Sequence, residues 1–219
     1  MRSRRILLAL AAGFFSLQVS AAFDEGIDYQ RLSRPQPTET EGKIEVLELF
    51  WYACPHCYHL EPPLEKWLKQ QPESVAFRRM PAVLGKHWEP HARAYYALEL
   101  MGVLDQVHEP LFYAIHVEKQ RLYDEKALTE FLAAKGVDAE EFAKAYKSFY
   151  VEMKVRRAIE MGKRYDLDGV PAIVVNGKYL TSPSAAEGSE RMFEILDYLI
   201  REELKQRVAD ELAKSVGGS

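Results

Sequence analysis

The chain holds two cysteines among 219 residues, and both lie in one run, Cys54-Pro55-His56-Cys57. Thiols at this spacing can be half of a metal clamp, a structural staple, or a reactive dithiol. A structural zinc site wants four ligands, commonly from two clusters, and no second cysteine pair follows. A staple closing so short a loop removes little entropy from the unfolded chain. A reactive pair needs one sulfur that ionises more readily than a free thiol, which depends on the surrounding elements.

Those elements can be read from pattern. Lys43 to Tyr52 is apolar on both faces, as expected of a central strand covered on both sides. Pro55 suits the first turn of a helix that continues through Leu60, Leu64, Trp67 and Leu68, with a kink expected at Pro62-Pro63. Cys54 then stands at the strand–helix junction, where unpaired N–H groups and the positive end of the helix dipole face its sulfur. Both favour thiolate over thiol, and His56 in the same turn adds to them. Cys57, one turn inward, can close a disulfide to Cys54 and should be the more buried. A stabilised thiolate is a good leaving group, and it makes the disulfide form an oxidant. Glu48 shares a strand face with Val46 and Phe50, which predicts a buried carboxyl with a raised pKa.

The remaining pattern places this unit in a larger sheet. Ser74 to Met80 reads as a second strand. Trp88 to Tyr165 reads as helical, in four segments, the third opened by a capping-box pattern at Asp138-Ala139-Glu140-Glu141. Ala172 to Val175 is a strand, Asn176-Gly177 a hairpin turn, and Lys178 to Leu180 the returning strand. A long amphipathic helix runs from Ser189 to about Lys214, and a frayed tail begins at Val216. The strands belong to one α/β sheet, so the helical block is an insertion.

The first residues have another purpose. Met1-Arg2-Ser3-Arg4-Arg5, the apolar run Ile6 to Leu17 and the small residues Val19-Ser20-Ala21-Ala22 form a secretory leader, so the mature chain should begin at Ala22 or Phe23. Its loss takes three arginines and no acid, moving the formal charge from -4 to -7. That argues against nucleic-acid binding. A soluble exported product is expected, in a compartment where disulfides persist. His87 and His91 have metal-ligand spacing but no third ligand, and read as solvated; His59, His108 and His116 have no partner visible in sequence. Tyr95-Tyr96 and Phe112-Tyr113 read as core.

With these residues assembled, the chain resembles the thioredoxin superfamily and, within it, the DsbA family of periplasmic thiol:disulfide interchange proteins. The resemblance rests on Val46-Leu47-Glu48-Leu49-Phe50, Cys54-Pro55-His56-Cys57-Tyr58, Gly169-Val170-Pro171-Ala172, Val175-Asn176-Gly177-Lys178-Tyr179 and the helical insertion, and it spans essentially the mature chain. It implies a thioredoxin fold with an inserted all-helical subdomain: signal peptide 1–22, thioredoxin-like parts 23–85 and 166–219, insertion 86–165. It implies that Val170-Pro171 is a cis-proline loop whose Val170 backbone pairs with substrate beside Cys54, and that Glu48 lies beneath the disulfide and serves proton transfer at Cys57. The implied activity is donation of the Cys54–Cys57 disulfide to reduced exported proteins in the periplasm, without metal or other cofactor. The implied partners are those unfolded substrates and a membrane quinone reductase, DsbB, for reoxidation; the implied state is a monomer. An isomerase or reductase, a zinc module and a non-catalytic binding protein are the competing readings.

Overall fold

The computed structural model describes residues 23–217. The proposed leader, residues 1–22, and residues 218–219 of the tail lie outside them. Five strands form one mixed sheet in the order β1-β5-β4-β2-β3. They are β1 (Gln30–Arg31), β2 (Ile44–Phe50), β3 (Val75–Pro81), β4 (Ala172–Val175) and β5 (Tyr179–Thr181). All seven residues of β2 are buried, as its two-sided apolar pattern requires. β3 runs parallel to β2, and β4 runs antiparallel to it on the other side. β1, two residues long, pairs with β5 and has no counterpart in the sequence reading.

One face of the sheet is covered by α1 (Pro55–Leu68) and α7 (Ser189–Gly217). Ile44, Val46, Leu64, Ile173, Met192 and Leu196 meet there, and Trp67 Nε1 donates to Asp197 Oδ1 at 2.9 Å to tie the two helices. α1 passes through Pro62 and Pro63 and ends at Leu68.

The other face carries the insertion: α2 (Glu89–Leu100), α3 (Leu104–His116), α4 (Glu125–Ala134), α5 (Ala139–Tyr146) and α6 (Phe149–Arg164), entered by a 3-10 turn at Lys86–Trp88. The sequence pattern predicts four helices here, and α3 is the one it misses. Pro110 lies inside α3, where proline removes a helical hydrogen bond. Burial of Val107, Leu111, Phe112, Ala114 and Ile115 holds the helix regardless. Tyr95, Tyr96 and Phe112 are core, as expected, but Tyr113 is exposed. At α5, Asp138 Oδ1 accepts from the Glu141 N–H at 2.8 Å, the forward half of the expected capping box. Buried side chains run continuously from Leu47, Leu49 and Phe50 into α2–α6.

The hairpin turn forms where Asn176-Gly177 predicts it. Both residues have positive φ (49° and 64°), and the Lys178 N–H donates to the Val175 carbonyl at 2.9 Å. Gly177 also meets the segment before β2: the Gln36 N–H donates to its carbonyl at 2.7 Å.

Candidate active site

Cys54 is the N-cap of α1, with φ -85° and ψ 116°, directly after the central strand. Its backbone N–H donates to the Trp51 carbonyl at 2.9 Å, and its carbonyl accepts from the Tyr58 N–H at 3.2 Å. The two sulfurs, both free thiols, differ in environment: Cys54 retains 8% exposure and Cys57 none. A hydrogen bond from the Cys57 thiol is the largest influence on Cys54 and outweighs the opposing effect of burial; the N–H groups of Cys57 and His56 and the charge of His56 add to it. Together they bring the Cys54 thiol down to about 6. The helix terminus acts as the sequence suggests, but the partner thiol contributes more. Burial drives Cys57 the other way, well above an ordinary thiol, and the negative charges of Cys54 and Glu48 reinforce it.

The Val170-Pro171 bond is cis. The Val170 carbonyl lies 3.4 Å from Cys54 Sγ and accepts from it while the sulfur is protonated. Pro171 is buried, whereas Pro55 and His56 are exposed at the start of α1. Val170 and Pro171 divide two depressions. One of about 300 Å³ is lined by His56, His59, Leu60 and Pro183. Another of about 530 Å³ is lined by Tyr29, Asp166, Leu167, Leu180 and Ser182.

Beneath the helix lies a charged cluster that sequence reasoning reached only at Glu48. That carboxyl is fully buried and raised to about 8, by burial first and by the negative charge of Glu61 second, with Arg79 opposing both. Parallel register sets Arg79 of β3 opposite Glu48 of β2. Arg79 Nε donates to Glu48 Oε2 at 3.0 Å, and Nη2 donates to Glu61 Oε2 at 2.8 Å. Two successive arginines in an otherwise apolar strand, Arg78-Arg79, were the available signal for this partner.

The histidines also depart from expectation. His91 is buried, not solvated, and its Nε2 lies 2.7 Å from the Leu122 carbonyl. Burial lowers its pKa to about 4. His87, exposed as expected, packs edge-on against Trp51, which stacks on Trp88 with centroids 4.2 Å apart. His108 Nδ1 is 2.8 Å from the Tyr52 hydroxyl, and His116 Nε2 is 2.7 Å from the Tyr52 carbonyl. Among the described residues, no group of three or more His, Cys, Asp or Glu is placed to hold a metal ion.

Two sulfurs of opposed acidity at the end of a central strand, faced by a cis proline, define a thiol:disulfide oxidoreductase built on the thioredoxin fold. Comparison with known proteins agrees. The model of the DSBA-like thioredoxin domain matches residues 45–200. The thiol:disulfide interchange protein DsbA of Pseudomonas aeruginosa is 41% identical over 197 residues, covering 90% of this chain and 93% of that one. Its namesake from Pseudomonas syringae pv. tomato is 39% identical over 217 residues, covering 98% and 100%. The crystal structure of the Pseudomonas aeruginosa DsbA superposes with a TM-score of 0.80 at 42% identity, over 86% of this chain and 97% of that one. Oxidoreductase DsbA from Xylella fastidiosa gives 0.77 at 34% identity, over 83% and 98%. The chain therefore belongs to the DSBA-like thioredoxin domain family, and it is a protein thiol:disulfide oxidoreductase acting in disulfide formation.

Proposed function

We propose that the protein donates its Cys54–Cys57 disulfide to newly exported, reduced proteins in the periplasm. The opposed acidity of the two sulfurs carries this reading. A substrate thiolate attacks Cys54, the sulfur retaining exposure; the Cys54–Cys57 bond breaks, and Cys57 leaves with the electron pair. Cys57 cannot persist as a buried anion, so it takes a proton, for which the neutral Glu48 carboxyl is the donor. A second substrate thiolate then attacks the substrate sulfur of the mixed disulfide, and Cys54 departs as a stabilised thiolate. His56 and the helix N-terminus hold that thiolate, and Pro55 shapes the turn that presents it. The Val170 backbone, set by cis Pro171, pairs with the extended substrate chain along the two depressions. No metal or separate cofactor enters this scheme.

The reduced protein is reoxidised by a membrane quinone reductase of the DsbB kind, and it works as a monomer after losing residues 1–22. Residues 23–85 and 166–219 form the thioredoxin-like unit and 86–165 the inserted subdomain. The deciding experiment equilibrates the mature protein with graded glutathione redox buffers, follows tryptophan fluorescence beside the site, and counts thiols by alkylation. A pair that stays reduced until the buffer is strongly oxidising is a disulfide donor. A pair already oxidised in reducing buffer has no special thiolate stabilisation, and the donor reading fails.

A further inference from the structure

The charged cluster extends past the groups used above. His108, on α3, is buried between Tyr52 and Glu61: its Nδ1 is 2.8 Å from the Tyr52 hydroxyl, and its Nε2 is 3.6 Å from Glu61 Oε2. That second distance is within ion-pair range but longer than a hydrogen bond, and Nε2, itself shielded from solvent, has no hydrogen-bond partner among the described residues. Glu61 in turn shares the Arg79 guanidinium with Glu48. On its outer side His108 lines a cleft of about 290 Å³ with Phe77, Arg79, Leu104 and Asp105. This cleft shares no lining residue with the two depressions beside Val170-Pro171. The ring thus turns Nε2 toward the Glu61 carboxyl and has a place in the wall of a separate solvent cleft.

We propose that His108, steadied by Tyr52, is the positioning residue through which the Glu48–Glu61 pair exchanges its proton with solvent, by a route separate from the substrate face. The proposal rests on the reading of Glu48 as the proton donor to Cys57. When Cys57 leaves, Glu48 gives its proton to that sulfur and becomes a carboxylate held by Arg79. Glu61 grips the same guanidinium, so the charge gained at Glu48 draws a proton to the pair; His108 Nε2 gives one to Glu61, and because that nitrogen is shielded from solvent at rest, the ring regains one from the cleft by turning about its Cβ–Cγ bond. Reoxidation runs the same transfers backward, and no electrons pass through the route. The Tyr52 hydroxyl suits both ring states, donating to Nδ1 of the neutral imidazole and accepting from the imidazolium. Burial keeps that hydroxyl protonated far above neutrality. The titratable and charged groups around His108 are Tyr52 after β2, Glu61 of α1, Arg78 and Arg79 of β3, and Tyr95 and Glu99 of α2, with Asp105 on its own helix.

The test is a stopped-flow measurement of single-turnover oxidation of a reduced, unfolded model protein between pH 5 and 8. His108→Gln and Glu48→Gln are compared with the unaltered chain. For His108→Gln we expect the rate to fall by about tenfold, less than the span usual for direct proton transfer, and its pH profile to flatten. Cys54 alkylation and the glutathione equilibrium should stay in place, which separates this role from a structural one. A His108→Gln profile superimposing on the unaltered one, while Glu48→Gln flattens it, overturns the proposal and leaves the Glu48 reading standing. If neither substitution changes the profile, the Glu48 reading fails and takes the proposal with it. A measurement without substitution guards against misfolding: NMR titration of the His108 ring in the oxidised and reduced protein. The curve should move between the two forms, and identical curves overturn the proposal.

Discussion

At the scale of the residue, the chemistry comes from placing like groups in unlike surroundings. Cys54 and Cys57 share one helical turn, yet one is pulled to about 6 and the other is driven far upward by burial. Alkylation of the reduced protein should follow the Cys54 thiolate: flat above about pH 7, and falling about tenfold per pH unit below pH 6. Mass spectrometry of the labelled protein should find Cys57 untouched until the chain unfolds, and a rate still climbing at pH 8 would refute the lowered pKa. Glu48 obeys the opposite sign. Its folded pKa, about 8, lies above its ordinary 4.5, so the stability it contributes is complete below 4.5 and is lost as pH rises toward 8. Glu48→Gln has no such titration, and Arg79 keeps Glu61 as a partner. In urea titrations of the oxidised protein, the variant should therefore gain on the unaltered chain between pH 5 and 8, by on the order of a few kcal/mol. A constant difference across that window would show that Glu48 ionises normally.

At the scale of the element, the turn at Gly177 gives a sharp prediction. The residue has φ +64°, and a Cβ there would collide with the Gln36 carbonyl oxygen, which is backbone and cannot swing away. Gly177→Ala should cost at least about 2 kcal/mol in urea unfolding, combining left-handed strain with displacement of the neighbouring segment. A loss below about 0.5 kcal/mol would mean that the segment before β2 yields easily. Local signals such as Asn176-Gly177, Pro55 after the buried strand, and Asp138 before α5 made these elements legible in the sequence. β1 was not legible, because its two residues gain strand geometry only by pairing with Leu180 and Tyr179 far along the chain. α3 was hidden by Pro110, and with it the surroundings of His108 and His116. Glu48 could be read as buried from strand alternation alone. Its partner could not, since Arg79 reaches it through the parallel register of two strands separated by α1.

At the scale of the whole molecule, the site and the fold share one free energy. Folding stabilises the Cys54 thiolate, while the disulfide carries no charge to stabilise and closes too short a loop to restrain the unfolded chain strongly. The reduced form should therefore unfold at higher urea than the oxidised form at pH 7. The gap should narrow as pH falls through about 6, where the thiolate is lost. An oxidised form that is the more stable at pH 7 would mean that folding does not drive disulfide donation. Because buried side chains run unbroken from β2 into the inserted helices, this difference should appear in the unfolding of both parts together, with circular dichroism and tryptophan fluorescence giving one midpoint.

The complete burial of Cys57 also governs traffic. With one sulfur sealed, all electrons entering or leaving the protein pass through a single port at Cys54. The chain being oxidised and the agent that restores the disulfide cannot occupy that port together, so each must inhibit the other's access. Turnover should then follow ping-pong kinetics, with parallel double-reciprocal lines when both are varied.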